Sequence, residues 1–332
     1  MTEEFPNELT SNILINPNNY EVGDKIKEMC HWSTYKAVER NSQTNVFFHV
    51  LHYSKDELNE KSIDLYSKKS LIRAIKLIRK YNFPGIAKTY GVYFPEADDQ
   101  NRHVFTDSLY KEHVIVVSEY FEKNLEKLAR DFSDGKPTPG FGPTERSKII
   151  FGISSILENA HAYNLTHQRL NLSNIYLNDN FEPIIGEFGM AYMLPECERN
   201  DYKYLAPEVK KDSYVDYSIP VDVYAFACIV YRMFSYEMTS NNNNEKDFFF
   251  RMKIMKGWRP DKPAIIPNSY WNLIIVCWEQ SSISRPQFSD ITNMIIGDEF
   301  VLHENGIDAD VNDLKRYQEK MLAFNHSFRR ND

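Results

Sequence analysis

The hydrophobic pattern of this chain passes from mostly strand-like to mostly helical near Tyr120, and that change limits the possible fold more than any other feature. Up to about Tyr120, short β-branched and aromatic runs dominate. Thr34-Tyr35-Lys36-Ala37-Val38 and Val46-Phe47-Phe48-His49-Val50 flank the turn-forming Arg40-Asn41-Ser42-Gln43, the pattern of two antiparallel strands joined by a hairpin. Ile86 to Tyr93 and His113 to Tyr120 read as further strands, separated by a polar loop from Pro95 to Lys111. In this half a helical period runs from Ile63 to Tyr81 through Leu65, Ile72, Ile75, Leu77 and Ile78, and Asn82-Phe83-Pro84-Gly85 ends it. Beyond Tyr120 the helical period takes over. Asn124 to Ala129 reads as a short helix, Asp131 to Pro143 as a Gly/Pro-rich connection, and Thr144 opens a long pattern through Ile149, Ile150, Ile153, Ile156, Leu157 and Ala160. Tyr224 to Phe234 is almost wholly apolar and is expected to be a buried helix. Strands first and helices later is an α+β arrangement.

At 332 residues, 42% hydrophobic and 14% aromatic, the chain can bury a sizeable core. A formal net charge of -8 lacks the electrostatic footprint of a nucleic-acid or anionic-membrane binder. Lys68-Lys69 and Lys210-Lys211 are too short to reverse it and read as solvated surface. Cys30, Cys197, Cys228 and Cys277 are scattered, without C-x-x-C spacing or a histidine array, so reduced thiols are expected rather than zinc. The start Met1-Thr2-Glu3-Glu4-Phe5-Pro6 is acidic and no later segment is apolar enough to span a bilayer. Neither signal peptide nor membrane insertion is expected, and the location is expected to be cytoplasmic. Asn241-Asn242-Asn243-Asn244 is a low-complexity loop. Near the end, Val311, Leu314, Tyr317, Met321 and Phe324 recur at helical spacing on a polar segment that Asp308 or Asp310 can cap. That amphipathic helix is expected to pack onto the domain, with partner binding as the alternative.

A string of short motifs runs along the chain in a fixed order. His167-Gln168-Arg169-Leu170-Asn171-Leu172-Ser173-Asn174 is followed by Glu187-Phe188-Gly189 and Ala206-Pro207-Glu208. Asn82-Phe83-Pro84 and Ser118-Glu119-Tyr120 precede them, and Asp222-Val223-Tyr224-Ala225-Phe226, Cys277-Trp278 and Ser284-Arg285-Pro286-Gln287-Phe288 follow. In this order they resemble the protein kinase family, whose catalytic loop runs H-R-D-L-x-x-x-N, whose metal-binding element is D-F-G and whose activation segment closes with A-P-E. The last two motifs are similar to those that close the domain in tyrosine-kinase-like and tyrosine kinases, and the chain as a whole is most similar to the tyrosine-kinase-like group. The resemblance covers about Tyr20 to Gly297 and implies a two-lobed fold. Residues 20–118 would form an N-lobe of a small antiparallel sheet with one αC helix, 119–122 the hinge, and 123–297 a larger helical C-lobe. Residues 1–19 would be an N-terminal extension and 298–332 a tail carrying the amphipathic helix. Ser118 then holds the gatekeeper position, and Glu119 and Tyr120 lie in the hinge.

Against that pattern the reactive positions are substituted. The glycines of the phosphate-covering loop, needed so that backbone can approach phosphate, align with Lys27, Met29 and Trp32. The V-A-I-K lysine aligns with His49, and its αC glutamate partner with Ala74. Gln168, Arg169 and Asn171 replace the arginine, aspartate and lysine of the catalytic loop. A guanidinium offers only donors and stays charged, so Arg169 cannot act as the base. Asn174 keeps the residue type of the second metal position, and Glu187 stands where the metal-binding aspartate belongs. Phe47 and Tyr176 replace the small groups above and below the adenine and are expected to fill its slot, unless a register slip turns Phe48 to that face instead.

The resemblance also implies what is kept. Glu208 and Arg285 match an ion pair tying the activation segment to the C-lobe, and Asp222 matches the aspartate that holds the catalytic-loop backbone. His167, Phe188 and Ile78 match members of a stacked hydrophobic column, from which Thr89 departs. Framework kept and chemistry lost implies a pseudokinase, a regulatory or scaffold module in intracellular signalling with no cofactor and with protein partners, an active kinase or signalling complex among them. Two alternatives retain ATP and magnesium. One is a divergent Ser/Thr or Tyr kinase using Glu187 and Asn174 for metal and Lys27 or Lys36 for phosphate. The other is a nucleotide-binding switch without phosphoryl transfer.

Overall fold

The computed structural model describes residues 13–29, 32–51, 65–95, 113–136, 138–193, 202–209, 219–236, 247–304 and 306–328. Most of the loop expected after Pro95, the asparagine tract, Cys30, Cys197 and Lys210-Lys211 lie outside the described residues. The chain divides into two compact units, and within the 119–122 segment it passes from the first to the second between Tyr120 and Phe121.

The first unit is an antiparallel five-stranded sheet in the order β1-β2-β3-β5-β4, with one helix. Its strands are β1 (Tyr20–Met29), β2 (Trp32–Glu39), β3 (Thr44–Leu51), β4 (Thr89–Tyr93) and β5 (Val114–Glu119), and the helix is α1 (Leu65–Tyr81). Side chains alternate across a strand, so β3 feeds two cores. Val46, Phe48 and Val50 join Ala37, Tyr93, Ile115 and Val117 on one face. Leu51 joins Trp32, Val114 and Val116 on the other, where Leu71, Ile72 and Ile75 of α1 cover them. Asn82, with φ of 45°, ends α1 in a left-handed turn and donates its N–H to the Ile78 carbonyl at 2.9 Å. Two sequence expectations need amending here. Lys68 is not solvated surface: it is buried, with its ammonium 5.7 Å from the centre of the Phe94 ring. Residues 13–15, placed in the N-terminal extension, lie along β4, where Ile15 donates to Val92 at 3.1 Å and Val92 to Ile13 at 2.8 Å.

The second unit is mainly helical: α2 (Leu125–Ser133), α3 (Pro143–Ala162), α4 (Ile219–Phe234), α5 (Asp247–Met255), α6 (Asn268–Cys277), α7 (Phe288–Ile295) and α8 (Val311–Phe328). A three-stranded sheet of β6 (Lys123–Asn124), β7 (Ile175–Leu177) and β8 (Pro183–Ile185) joins them, as does a short hairpin of β9 (His303–Glu304) and β10 (Ile307–Asp308). Phe83–Ile86 also belongs here, because Ile185 donates to the Gly85 carbonyl at 2.7 Å. Helices α3 and α4 are buried around most of their circumference. Among the described residues no helix is long and apolar enough to cross a membrane.

The tail is built into this unit. Asp310, rather than Asp308, caps α8 by accepting the N–H groups of Asn312 and Asp313, each at 3.0 Å. Leu314, Tyr317 and Met321 are buried. Tyr317 packs edge-on to Phe151 of α3 with ring centres 6.1 Å apart. A Cβ on Gly152 would stand 2.3 Å from the Tyr317 hydroxyl and 2.5 Å from Pro183 Cγ, so only glycine permits the approach of α8 and β8 to α3. Lys148 pairs with Asp313 and Lys320 with Glu182, both at 2.9 Å. Gly152→Val is therefore expected to overpack this junction and to destabilise the protein by about 1–3 kcal/mol. The check is a lowered midpoint in thermal unfolding with faster amide exchange across 311–328; an unchanged midpoint would mean that α8 does not seat as described.

Candidate functional site

In the first unit, β2, β3 and β5 bring four polar side chains into line inside the sheet. Buried His49 has Nδ1 3.0 Å from the Thr34 hydroxyl and Nε2 2.9 Å from the Ser118 hydroxyl. Trp32 donates its indole N–H to the same Thr34 oxygen at 2.9 Å. Thr34 thus accepts from the indole and bonds Nδ1 while Ser118 bonds Nε2, and the ring tautomer sets which partner donates in each imidazole contact. Both ring nitrogens at the phosphate-lysine position are engaged by the sheet's own hydroxyls. Trp32, at the third glycine position, is a core residue.

Phe47 faces the same side of β3 as His49, with ring centres 5.8 Å apart, and lies 4.9 Å from the ring of Tyr120. Lys36 places its ammonium 4.9 Å from the Tyr120 ring. Phe48 faces the other side, against Tyr20 at 5.8 Å, so the strands do not adopt the slipped register. Glu119 exchanges hydrogen bonds with Lys88, its N–H reaching the Lys88 carbonyl at 2.9 Å and its carboxylate accepting the Lys88 N–H at 3.2 Å.

On α1, Ala74 does more than lack a carboxylate. Gly189, with φ of 79°, lies so close that a Cβ on it would be 2.6 Å from the Ala74 methyl. The short 3₁₀ turn that follows, Met190–Met193, drops Met190 and Met193 into the core beside Leu71, Ile72 and Ile75. A glutamate at 74 would collide with this packing. Phe188, Ile78 and Thr89 are buried in the same unit. Glu187 adopts φ of 65°, a strained conformation for a residue with a Cβ. Its side chain is 1% exposed, and the ammonium of Lys27, from the first glycine position on β1, lies 3.8 Å from Oε1.

In the second unit the loop before β7 is organised by one carboxylate on α4. Asp222 accepts the backbone N–H groups of His167 and Gln168, both at 2.7 Å, and His161 Nε2 lies 2.9 Å away. Burial, the largest influence, would raise the Asp222 pKa; the His161 hydrogen bond, the two histidines and the His167 amide override it and hold the group below its ordinary 3.8. The paired amides also hold Gln168 at φ of 63°. Arg169 is fully buried at the position of the family's base, its N–H donating to His167 Nδ1 at 3.2 Å. Asn171 caps the turn Leu172–Asn174 through Ser173 N–H at 2.9 Å and Asn174 N–H at 3.2 Å. Asn174 uses both ends of its amide within the loop: Oδ1 accepts the Asn171 N–H at 3.1 Å and Nδ2 donates to the Arg169 carbonyl at 2.5 Å. Tyr176 stacks on Phe121 with centres 5.6 Å apart.

Glu208 and Arg285 form a two-pronged pair, both contacts at 2.7 Å, with side chains 23% and 0% exposed. Arg285 also donates to the carbonyls of Pro220 and Glu279, each at 2.9 Å. Three supports escaped the sequence reading. His161 reaches Asp222; Arg232 donates to the Tyr204 hydroxyl; and Arg251 on α5 donates to the carbonyls of Leu205, Ala206, Pro207 and Val209. Their partners lie more than twenty residues away, and the local signals were two arginines set in apolar runs, Tyr231-Arg232-Met233-Phe234 and Phe248-Phe249-Phe250-Arg251-Met252.

Residue by residue, these positions do not fit the ATP and magnesium that the family implies. Glu187 faces an ammonium, the Asn174 amide is held inside its loop, and the His49 nitrogens are held by hydroxyls.

A family model described as "Protein kinase domain" matches residues 31–295, so the chain belongs to the protein kinase family. Among curated proteins it is similar to Dual specificity protein kinase shkE of Dictyostelium discoideum, 29% identical over 208 residues, 59% of this chain and 28% of that protein. It is 26% identical over 153 residues to Serine/threonine/tyrosine-protein kinase HT1 of Arabidopsis thaliana, 45% of this chain and 38% of that protein. To Protein-tyrosine kinase 6 of Mus musculus it is 28% identical over 209 residues, 59% of this chain and 45% of that protein. The matched segment thus spans less than half the length of each of these relatives.

Two measurements test the supports. Glu208→Ala strands a buried guanidinium that keeps its bonds to Pro220 and Glu279, so the expected loss is about 2–3 kcal/mol, below the roughly 3–5 kcal/mol of a wholly buried pair. Chemical denaturation measures it, and a wild-type midpoint would show that the pair contributes nothing. Asp222, with its pKa depressed, contributes stability that is present above pH 3.8 and is lost as pH falls through its folded value. Asp222→Asn should lower stability at neutral pH and flatten that acid limb; an acid limb identical to wild type would exclude this role.

Proposed function

We propose that this member of the protein kinase family is a pseudokinase, a regulatory or scaffold module that acts by binding protein partners rather than by transferring phosphate. The observation that carries this reading is Arg169, fully buried at the position of the catalytic base. Loss of a general base costs on the order of a hundred- to ten-thousand-fold. Catalysis in this family rests mainly on positioning and on charge stabilisation by lysine and metal, and those positions hold His49 and the Lys27–Glu187 pair. Glu208–Arg285 and the Arg251 clasp give the second unit a fixed segment at 204–209, a feature suited to presenting a binding surface. The partner class is protein, with an active kinase or signalling complex as candidates, and the setting is the cytoplasm.

A second reading, a divergent kinase, draws on the family itself and on Glu187 and Asn174, residue types able to ligate magnesium. In that reading Lys27 would have to leave Glu187 to reach phosphate. A nucleotide-binding switch is the third reading.

Purified protein with ATP, magnesium or manganese, and generic serine, threonine and tyrosine substrates is expected to incorporate no more label than a denatured control. Arg169→Asp alone should not rescue transfer, because the phosphate-binding half would still be absent. With Phe47 and Tyr176 at the adenine positions, ATP with magnesium is expected to leave the melting temperature unchanged. Transfer that disappears in Glu187→Gln would refute the proposal in favour of the divergent kinase, and nucleotide-dependent stabilisation without transfer would favour the switch.

A further inference from the structure

A buried carboxylate needs a counter-charge, and at Glu187 the chain supplies one from its own first strand. The two partners sit on well-anchored backbone. Glu187 is fixed from behind, since Gly189 is wedged against Ala74 and Met190 and Met193 lie in the core. Lys27 sits on β1 opposite Thr34, the residue whose side chain bonds Trp32 and His49. Beside it on β1, Lys25 and Glu28 pair with each other at 2.9 Å in solvent. At 3.8 Å the Lys27–Glu187 contact lies beyond hydrogen-bond range, so charge rather than a shared proton holds it.

We propose that Lys27 is a tethered cation that takes the place of the divalent metal at the Glu187 position. The strand that would cover phosphates delivers a fixed positive charge to the carboxylate instead, and the first unit is complete with neither nucleotide nor metal. Two physical arguments favour the lysine over an ion. Magnesium gives up its water reluctantly and needs several oxygens, whereas the ammonium is already covalently placed. An incoming divalent ion would also meet the ammonium at close range and be repelled by it. The inference rests on the pseudokinase reading for the meaning of the position, but it is tested by stability and metal alone, without ATP.

A double-mutant cycle on the full chain tests it. Lys27→Met should destabilise by stranding the carboxylate, Glu187→Gln should cost less because Lys27 is 21% exposed and keeps some water, and the double variant should recover most of the loss. The expected coupling is at least about tenfold in the unfolding constant. Millimolar manganese without nucleotide should raise the melting temperature of Lys27→Met and leave wild type and the double variant unmoved. Additive losses, or an equal rise in wild type, would overturn the proposal. If Lys27→Met alone does not fold, a folded double variant supports the tethered cation and an unfolded one overturns it. The separate phosphoryl-transfer assay reads the pseudokinase proposal, so the two can fail independently.

Discussion

The carboxylate of Asp222 organises the second unit. It accepts two consecutive amides and faces a histidine, and it does so in an interior where an uncompensated charge would be far too expensive to keep. Those bonds hold Gln168 in a left-handed conformation that costs about 1–3 kcal/mol on its own. With Gln168 fixed, Arg169 is directed into the interior and its carbonyl toward Asn171 and Asn174, whose mutual capping then closes the loop. One buried anion thus sets a chain of hydrogen bonds from α4 to the start of β7. His161 deepens the arrangement, since its hydrogen bond favours the ionised carboxylate.

In the first unit the corresponding constraint is the two-residue period of β3. A strand cannot turn Phe48 into the outer core without turning Phe47 and His49 to the opposite face. Once Phe48 and Val50 are committed, His49 must be buried beneath α1 or find polar partners, and Thr34 and Ser118 on the flanking strands provide them. The same alternation leaves Phe47 beside Tyr120, where Lys36 caps the ring from the neighbouring strand.

The fold was legible in the sequence because period and punctuation carry it. The β2–β3 hairpin, the end of α1 at Asn82 and the apolar α4 follow from residues close together in the chain. Lys68 misled because a lysine's aliphatic stem lets it lie buried while its head finds a ring. The tail was only half legible. Its apolar stripe was plain, but its seat on α3 depends on Gly152, and a missing side chain leaves no mark in a hydrophobic pattern. In the candidate site, alignment to the family placed His49, Ala74 and Glu187, yet it could say what those positions lack and not what they touch. Lys27 near Glu187, Gly189 against Ala74 and Arg251 over the 205–209 carbonyls are contacts between residues far apart in the chain, and no spacing rule encodes them.

Those contacts share a physical logic. A site that binds a charged ligand keeps polar groups whose partners arrive with the ligand, and without it they would be buried and unsatisfied at about 1–3 kcal/mol each, more for charges. Here several such groups face a partner from their own unit, although Glu187 Oε1 is met by charge and accepts no hydrogen bond. Hydroxyls hold the imidazole of His49, an ammonium faces the carboxylate of Glu187, the loop absorbs the amide of Asn174, and the backbone at Gly189 packs against the Ala74 methyl. Substituting one ligand-binding residue would leave the rest as liabilities; substituting several in concert removes the dependence. A ligand stabilises a fold only in proportion to its preference for the folded chain, so a polar group already partnered within the chain gains less from one. Asp222, Glu208 and Arg285 are different in kind: their bonds run to the chain's own amides and to each other, which is the work of a framework.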